Sequence, residues 1–435
     1  MRAGIAAQAL RAHRWAFVGP ASTQLVAAVV LSATLTVQVS VDGAPELSEM
    51  LTAFALIAVY LTILLVGVTM NAAIAQQARD VALLRAVGAT PGRIRRAVAV
   101  EAAVVAVPAG IAGYLLGLLA GWAWLGTLVD HGLAPAGARF TPEPLLLAPI
   151  LGILVVTSTV GALIAAVRPA RARPAIALAD AATRRPRFTA VRLGLGLLLV
   201  AGGVTLSVSI ADLAADAADD AALFVMLALC VGVGLLGPFV LRSAIAVGRP
   251  LLALAGGTGR LAADNVAVLS RALSGALVPL VLAVAFAAVK VAVHSTTTHV
   301  TGRTGPAAEA WLDYSGTAVY CLFAAVAAVN TLATVVVGRR RDLALLGLAG
   351  ATRGRVLAVV VCEAGIVTVT GLVLAAGVAG VTLVPMVHTA LGTWTPYVPP
   401  STLAAGVLAT AAVVAAGTVL PAALLTRRPP IGQVG

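Results

Sequence analysis

The sequence predicts an all-α integral membrane protein with about ten transmembrane helices in a 4+2+4 arrangement, two homologous four-helix units with very short extracytoplasmic loops. Three observations carry this reading. Hydrophobic residues make up 60% of the chain and charged residues only 11%, where soluble domains carry about a quarter charged residues. A soluble globule cannot hide that much apolar surface. Apolar runs of roughly 20 residues or more, the length that crosses a bilayer, recur from end to end. One motif that follows the second run returns, recognisably, after the eighth.

The runs fall near 17–40, 50–75, 98–126, 145–167, 191–211, 222–241, 273–294, 314–337, 357–385 and 401–426, each with at most one charge. The first is too long for a secretory leader and lacks a small-residue cleavage site with a soluble domain behind it, so it is read as a retained span. The fifth and sixth are separated only by Ala211–Ala221, the weakest division in the series. Gly113, Gly117 and Gly121 in the third run repeat the small-residue spacing that lets helices pack closely; the other half has Ala375 and Ala379 at the first two of these positions.

Charge fixes the expected orientation. With both termini in the cytoplasm, 26 of the 29 basic residues fall inside, leaving Arg139, Arg303 and Lys290 outside, as the positive-inside rule requires. Eleven of the 17 acidic residues fall outside. Trp15, Trp122, Trp124, Trp311 and Trp394 lie at or near run ends, where amphipathic rings favour the headgroup region. The net charge of +12 is therefore a topological signal, and no nucleic-acid partner is expected.

The repeat organises the chain. Residues 79–94 return 262 positions later as 341–356, identical at ten of sixteen positions without a gap. The register continues, Glu101 onto Glu363, and sends 1–168 onto 263–430. The expected domains are a first four-span unit (1–168), a linker with two linking spans (169–256) and a second four-span unit (257–430). In each copy the chemistry reads as helix, turn, helix. The first helix runs on from the span and ends at Gly88 or Gly350, which can adopt the left-handed conformation that closes a helix. Thr90 or Thr352 then offers an N-cap hydroxyl, and Pro91 takes the first helical position of the first copy.

At these copies the sequence resembles the FtsX-like permease family of ABC transporters, which includes MacB-type and Bce-type permeases. The carrying residues are Arg79-Asp80-Val81-Ala82-Leu83-Leu84-Arg85-Ala86-Val87-Gly88-Ala89-Thr90 with Glu101, their second copy through Glu363, and Arg260-Leu261-Ala262-Ala263-Asp264-Asn265 ahead of the second unit. The resemblance implies the transmembrane subunit of a plasma-membrane transporter, driven through these turns by a separate cytoplasmic ABC ATPase, expected as a dimer. Its motion would be relayed to the outer side by mechanotransmission, exporting or extruding a substrate. Carried over, the coupling contact comprises Arg79, Asp80, Leu83, Leu84, Arg85, Gly88, Thr90 and Arg93, with Arg341, Asp342, Leu345, Leu346, Gly350, Thr352 and Arg355. The alternative is a transmembrane signalling or scaffold protein that regulates a cell-wall enzyme or sensor kinase. Whether a second permease copy joins the assembly stays open. Many relatives carry a large outer domain after the first span of a unit. Here that place holds only about Val41–Glu49 and His294–Asp313. The second copy has Gly347 where the first has Arg85.

No catalytic machinery is expected on the chain itself. The only lysine, Lys290, lies in or beside an apolar run, so no Walker-type nucleotide cradle exists. ATP and Mg belong on the partner, and this chain is expected to bind no cofactor. The five histidines, His13, His131, His294, His299 and His388, lack metal-site spacing, and Cys230, Cys321 and Cys362 sit in apolar runs as packed residues. Among intramembrane ionisable groups, Lys290 reads as snorkelling to the outer headgroups. Glu101 and Glu363 read as anchors at the N-termini of their spans, where a carboxylate suits the helix dipole and pairs with nearby arginines. A secondary transporter would gather polar groups at the midplane, which these runs do not.

Overall fold

The computed structural model describes residues 14–41, 45–77, 81, 83–84, 87–171, 190–210, 215–302 and 307–427. Among them the order is α1 (Arg14–Ser40), α2 (Pro45–Gln76), α3 (Pro91–Asp130), a 3-10 turn at Pro144–Leu146, α4 (Leu147–Arg171), α5 (Ala190–Ile210), α6 (Ala215–Leu254), α7 (Gly256–Thr301), α8 (Ala307–Gly338), α9 (Arg340–Leu348), α10 (Arg353–Leu391) and α11 (Pro400–Thr426). Ten of these helices, all but α9, are long and apolar enough to cross a membrane. They coincide with the ten expected runs, and the chain is an all-α integral membrane protein.

Several helices outrun their apolar stretches. The sixth run ends near 241, yet α6 continues to Leu254, and α7 starts at Gly256 although its run starts near 273. The added segments carry Arg242, Arg249, Arg260, Asp264 and Arg271. Helix propensity does not stop at the headgroups, and charged residues are good helix formers in water. The chain reverses at Gly256 with φ of 65°. At the opposite end α7 runs to Thr301 and α8 begins at Ala307, so much of the expected outer loop 294–313 is helix.

The chain divides into two compact units, Met1–Arg184 and Arg185–Gly435. In the first, four helices pack with α1 most buried. Its seam with α3 runs along the three glycines. A Cβ added at Gly113 would lie 2.5 Å from both Leu25 O and Ala28 Cβ, and one at Gly117 2.8 Å from Val29 O. Ser32 Oγ donates to Tyr114 O across this seam, and Gln24 Nε2 donates to Ser158 Oγ of α4 at 2.9 Å. The small-residue spacing is thus a helix–helix seam, as expected.

In the second unit α7 is the most buried helix. One apolar cluster joins α6, α7, α8, α10 and α11 through Leu241, Leu273, Leu277, Leu280, Leu332, Val367 and Val414. The linking helices α5 and α6 belong to this unit. Their attachment follows from two prolines. Pro238 has no N–H, so the carbonyl of Gly234, four residues back, loses its helical donor. Arg192 of α5 replaces it, Nη2 donating to Gly234 O at 3.0 Å and Nε to Leu235 O at 2.9 Å. Pro385 in α10 likewise frees the carbonyl of Val381, and Ser207 Oγ of α5 donates to it.

Candidate functional site

The repeated turns are built alike, bond for bond. Gly88 and Gly350 have φ of 95° and 92°, a left-handed conformation that a Cβ would strain. Ala89 N donates to Leu84 O at 2.9 Å and Ala351 N to Leu346 O at 3.0 Å. This six-to-one bond is the Schellman closure, which satisfies a carbonyl orphaned at the helix end. Beyond it Thr90 Oγ1 accepts from Arg93 N and Thr352 Oγ1 from Arg355 N, each at 3.4 Å. Pro91 opens α3 and Arg353 opens α10.

The entry to each turn differs from expectation. The span does not run on as one helix. It breaks at Gln77, whose N–H donates to Ile74 O at 3.0 Å, and at the matching Arg339, whose N–H donates to Val336 O at 3.2 Å. These three-residue bonds tighten the end of each span and re-aim the chain into a separate short helix, α9 in the second unit. In the first unit Val81, Leu83 and Leu84 are helical at the corresponding place.

The two faces of this short helix have different fates. Leu343 packs with Val336, Val356, Val360 and Ala422 in an apolar cluster that half-buried Leu346 also joins. Val81 packs with Met70, Ile74, Ile94 and Val98 in the first unit. The other face is open: Leu345 and Leu348 are 52% and 53% exposed, Leu83 and Leu84 48% and 55%, and Val87 89%. Arg93, Arg341, Asp342 and Arg355 are exposed beside them. Exposed apolar side chains are thus grouped at the tip of each turn, outside the candidate spans and beside exposed arginines. Arg79, Asp80 and Arg85 lie outside the described residues.

Glu101 and Glu363 lie deeper in their helices than expected, while the expected pairing with a nearby arginine is present at Glu363. Their helices start at Pro91 and Arg353, so each carboxylate stands nearly three turns inside, beyond the reach of the terminal dipole. Both are buried. Glu363 is held by Arg339 of the preceding span: Nη1 donates to Oε1 at 2.9 Å and Nη2 to Oε2. Asn265 Nδ2 of α7 also donates to Oε1, at 2.7 Å. Asn265 was marked only by resemblance, and Arg339 only as one more inside arginine. The repeat marks Arg341, but no sequence pattern separates Arg339 from Arg340; Arg339 is the residue at the helix break.

Lys290 is paired rather than snorkelling. Its Nζ donates to Asp313 Oδ1 at 3.0 Å, and His294 Nε2 meets Asp313 Oδ2 at 3.1 Å. The pair ties α7 to α8 on the acidic side. His299 stacks on Tyr397 and His388 on Trp394. Among the described residues no cluster of His, Cys, Asp and Glu could hold a metal ion, and all three cysteines are free thiols.

Comparison with known proteins fits this geometry. No curated protein matches the chain. The family described as FtsX-like permease C-terminal matches it twice, over 52–172 and 315–430, together more than half its length. Each match runs from the second span of a unit through its turn to the end of the fourth. The family generally comprises non-catalytic membrane subunits that work with an ABC ATPase. The chain therefore belongs to the FtsX-like permease family, as a permease-type membrane subunit of an ABC transporter.

Proposed function

We propose that this chain is a plasma-membrane permease, with both termini cytoplasmic, whose two turns receive a cytoplasmic ABC ATPase dimer. ATP and Mg are held by that partner. Dimerisation of the ATPase pushes the turns, the spans tilt as levers, and a substrate is extruded at the outer side by mechanotransmission. The observation that carries this reading is the pair of matching turns, closed by the same backbone bonds, with exposed leucines on a face that the spans do not cover. A turn locked by a Schellman closure and anchored beneath by an apolar cluster transmits a push instead of absorbing it. The permease purified with its ATPase tests this. Leu83→Asp combined with Leu345→Asp places carboxylates in the docking faces without touching the buried clusters. The altered permease is expected to insert and express normally but to lose the ATPase on size-exclusion chromatography. Retention of the ATPase with unchanged hydrolysis would place the contact elsewhere.

A further inference from the structure

Lys290, the one lysine of the chain, stands on α7 inside an apolar run. His294 follows four residues later and shares its face of the helix. Their nitrogens converge on a single carboxylate of α8: Lys290 Nζ lies 3.0 Å from Asp313 Oδ1, and His294 Nε2 3.1 Å from Asp313 Oδ2. The Tyr314 ring lies 5.0 Å from the imidazole. Toward the middle of the two helices their contact turns apolar, with Phe286 edge-on to Tyr320 at 5.8 Å. Val319 and Leu322 of α8 are exposed at that level. The cluster itself is open, the side chains of Lys290, His294 and Asp313 being 32%, 27% and 26% exposed.

Stability is a poor reason for such a cluster. Charge inside an apolar run is costly, and a partly exposed ion pair returns little. What the geometry does supply is a seat for an oxyanion. Two donors rise from one helix and meet where two oxygens of one group fit; Asp313, carried by the other helix, fills that place. An ammonium has three N–H donors, and one of them meets an acceptor among the described residues, so Lys290 has donors to spare for an incoming oxyanion. We infer that Lys290 and His294 form a binding site for an oxyanionic group, carboxylate or phosphate, with Asp313 as the resident stand-in that the ligand displaces. The exposed Val319 and Leu322 beside it suit the apolar part of an amphiphile. In the proposed orientation the site lies at the outer ends of the spans, so it deepens the export reading and gives the substrate its chemical class.

The site rests on that reading for its outer location and its role in export, while its test needs no ATPase. Full-length permease in phosphatidylcholine nanodiscs is titrated calorimetrically with dodecyl phosphate. Empty nanodiscs are the blank, and sodium phosphate is the free-anion arm. Lys290→Gln keeps N–H donors but removes the charge, and should weaken dodecyl phosphate by roughly ten-fold or more, the size of a lost hydrogen bond to a charged group. Asp313→Asn keeps the shape of the clamp but removes the resident anion, and should tighten binding several-fold. A merely structural ion pair predicts no such gain. Lys290→Gln with Asp313→Asn restores charge balance, which protects the fold if a single variant fails, and should bind as weakly as Lys290→Gln alone. Sodium phosphate should bind more weakly than dodecyl phosphate; equal affinity would assign the site to a free anion instead of an amphiphile. Equal binding by all four proteins, or no tightening in Asp313→Asn, overturns the inference. Those outcomes leave the coupling contact untouched, and loss of that contact in its own test leaves these titrations unchanged.

Discussion

Arg192 carries out a repair that a proline makes necessary. Pro238 leaves Gly234 O without its helical donor, and within a membrane no water is at hand to replace it. The guanidinium supplies two donors at once, to Gly234 O and Leu235 O, and reaches Ser274 Oγ at 3.4 Å. Arg192→Leu should therefore destabilise the second unit by about 1–3 kcal/mol, the usual cost of leaving a buried acceptor unsatisfied. A lowered melting temperature in detergent would show it. Arg192→Lys should restore little, because an ammonium lacks the planar fork that spans adjacent carbonyls. An unchanged melt for either variant would mean that the freed carbonyls find another donor. This role was hidden in the sequence for the same reason as that of Arg339. Residue type and position relative to a span are local facts, and they place an arginine on the correct side of the membrane. Which carbonyl or carboxylate it meets depends on a helix some 40 or 24 residues away in the chain. The cap residues Gly88, Thr90, Gly350 and Thr352 were legible because their partners lie within six residues.

At the scale of helices, the ten spans were legible because hydropathy is a property of a window, but their packing was only partly so. The α1–α3 seam was visible as a glycine spacing in one helix, whereas its partner face, Leu25, Ala28, Val29 and Ser32, has no mark of its own. That seam also distinguishes the units, since Ala375 and Ala379 take the places of Gly113 and Gly117 in the second. A close approach of this kind is intolerant of volume. Gly113→Ala would force a methyl to within 2.5 Å of the Leu25 carbonyl and the Ala28 methyl. Overpacking of that order costs about 1–3 kcal/mol. Gly126 lies on the same helix, where an added Cβ meets nothing within 4 Å. Gly126→Ala should be neutral or stabilising by up to about 1 kcal/mol, from helix propensity alone. Thermal unfolding of the two variants side by side checks the assignment. Equal effects would show that α1 and α3 do not meet along this line.

For the whole molecule the deciding quantity is parity. Moving arginine through a bilayer is costly, and the alternation of ten helices leaves 26 of 29 basic residues on one side. Six helices, α3 to α8, lie between the two turns, so the turns share a side only if an even number of these six cross. The weakest pair, α5 and α6, therefore decides nothing if both span or neither does, and everything if only one does. Gly92 and Gly354 are exposed at the turns, with open space around an added Cβ, and Gly137 is equally open in the segment between α3 and α4. In a background with Cys230, Cys321 and Cys362 replaced by alanine, each can carry a single cysteine. A membrane-impermeant maleimide applied to intact cells should label Gly137→Cys and spare Gly92→Cys and Gly354→Cys until the membrane is permeabilised. Labelling of one turn but not the other would show that an odd number of these six helices crosses. Two turns on opposite faces could not be driven by one cytoplasmic ATPase dimer, however alike their backbones. Labelling of both turns in intact cells would invert the orientation and remove the ATPase from reach of either. Protection of both, with Gly137→Cys open, is the arrangement in which two identical closures can receive one motor.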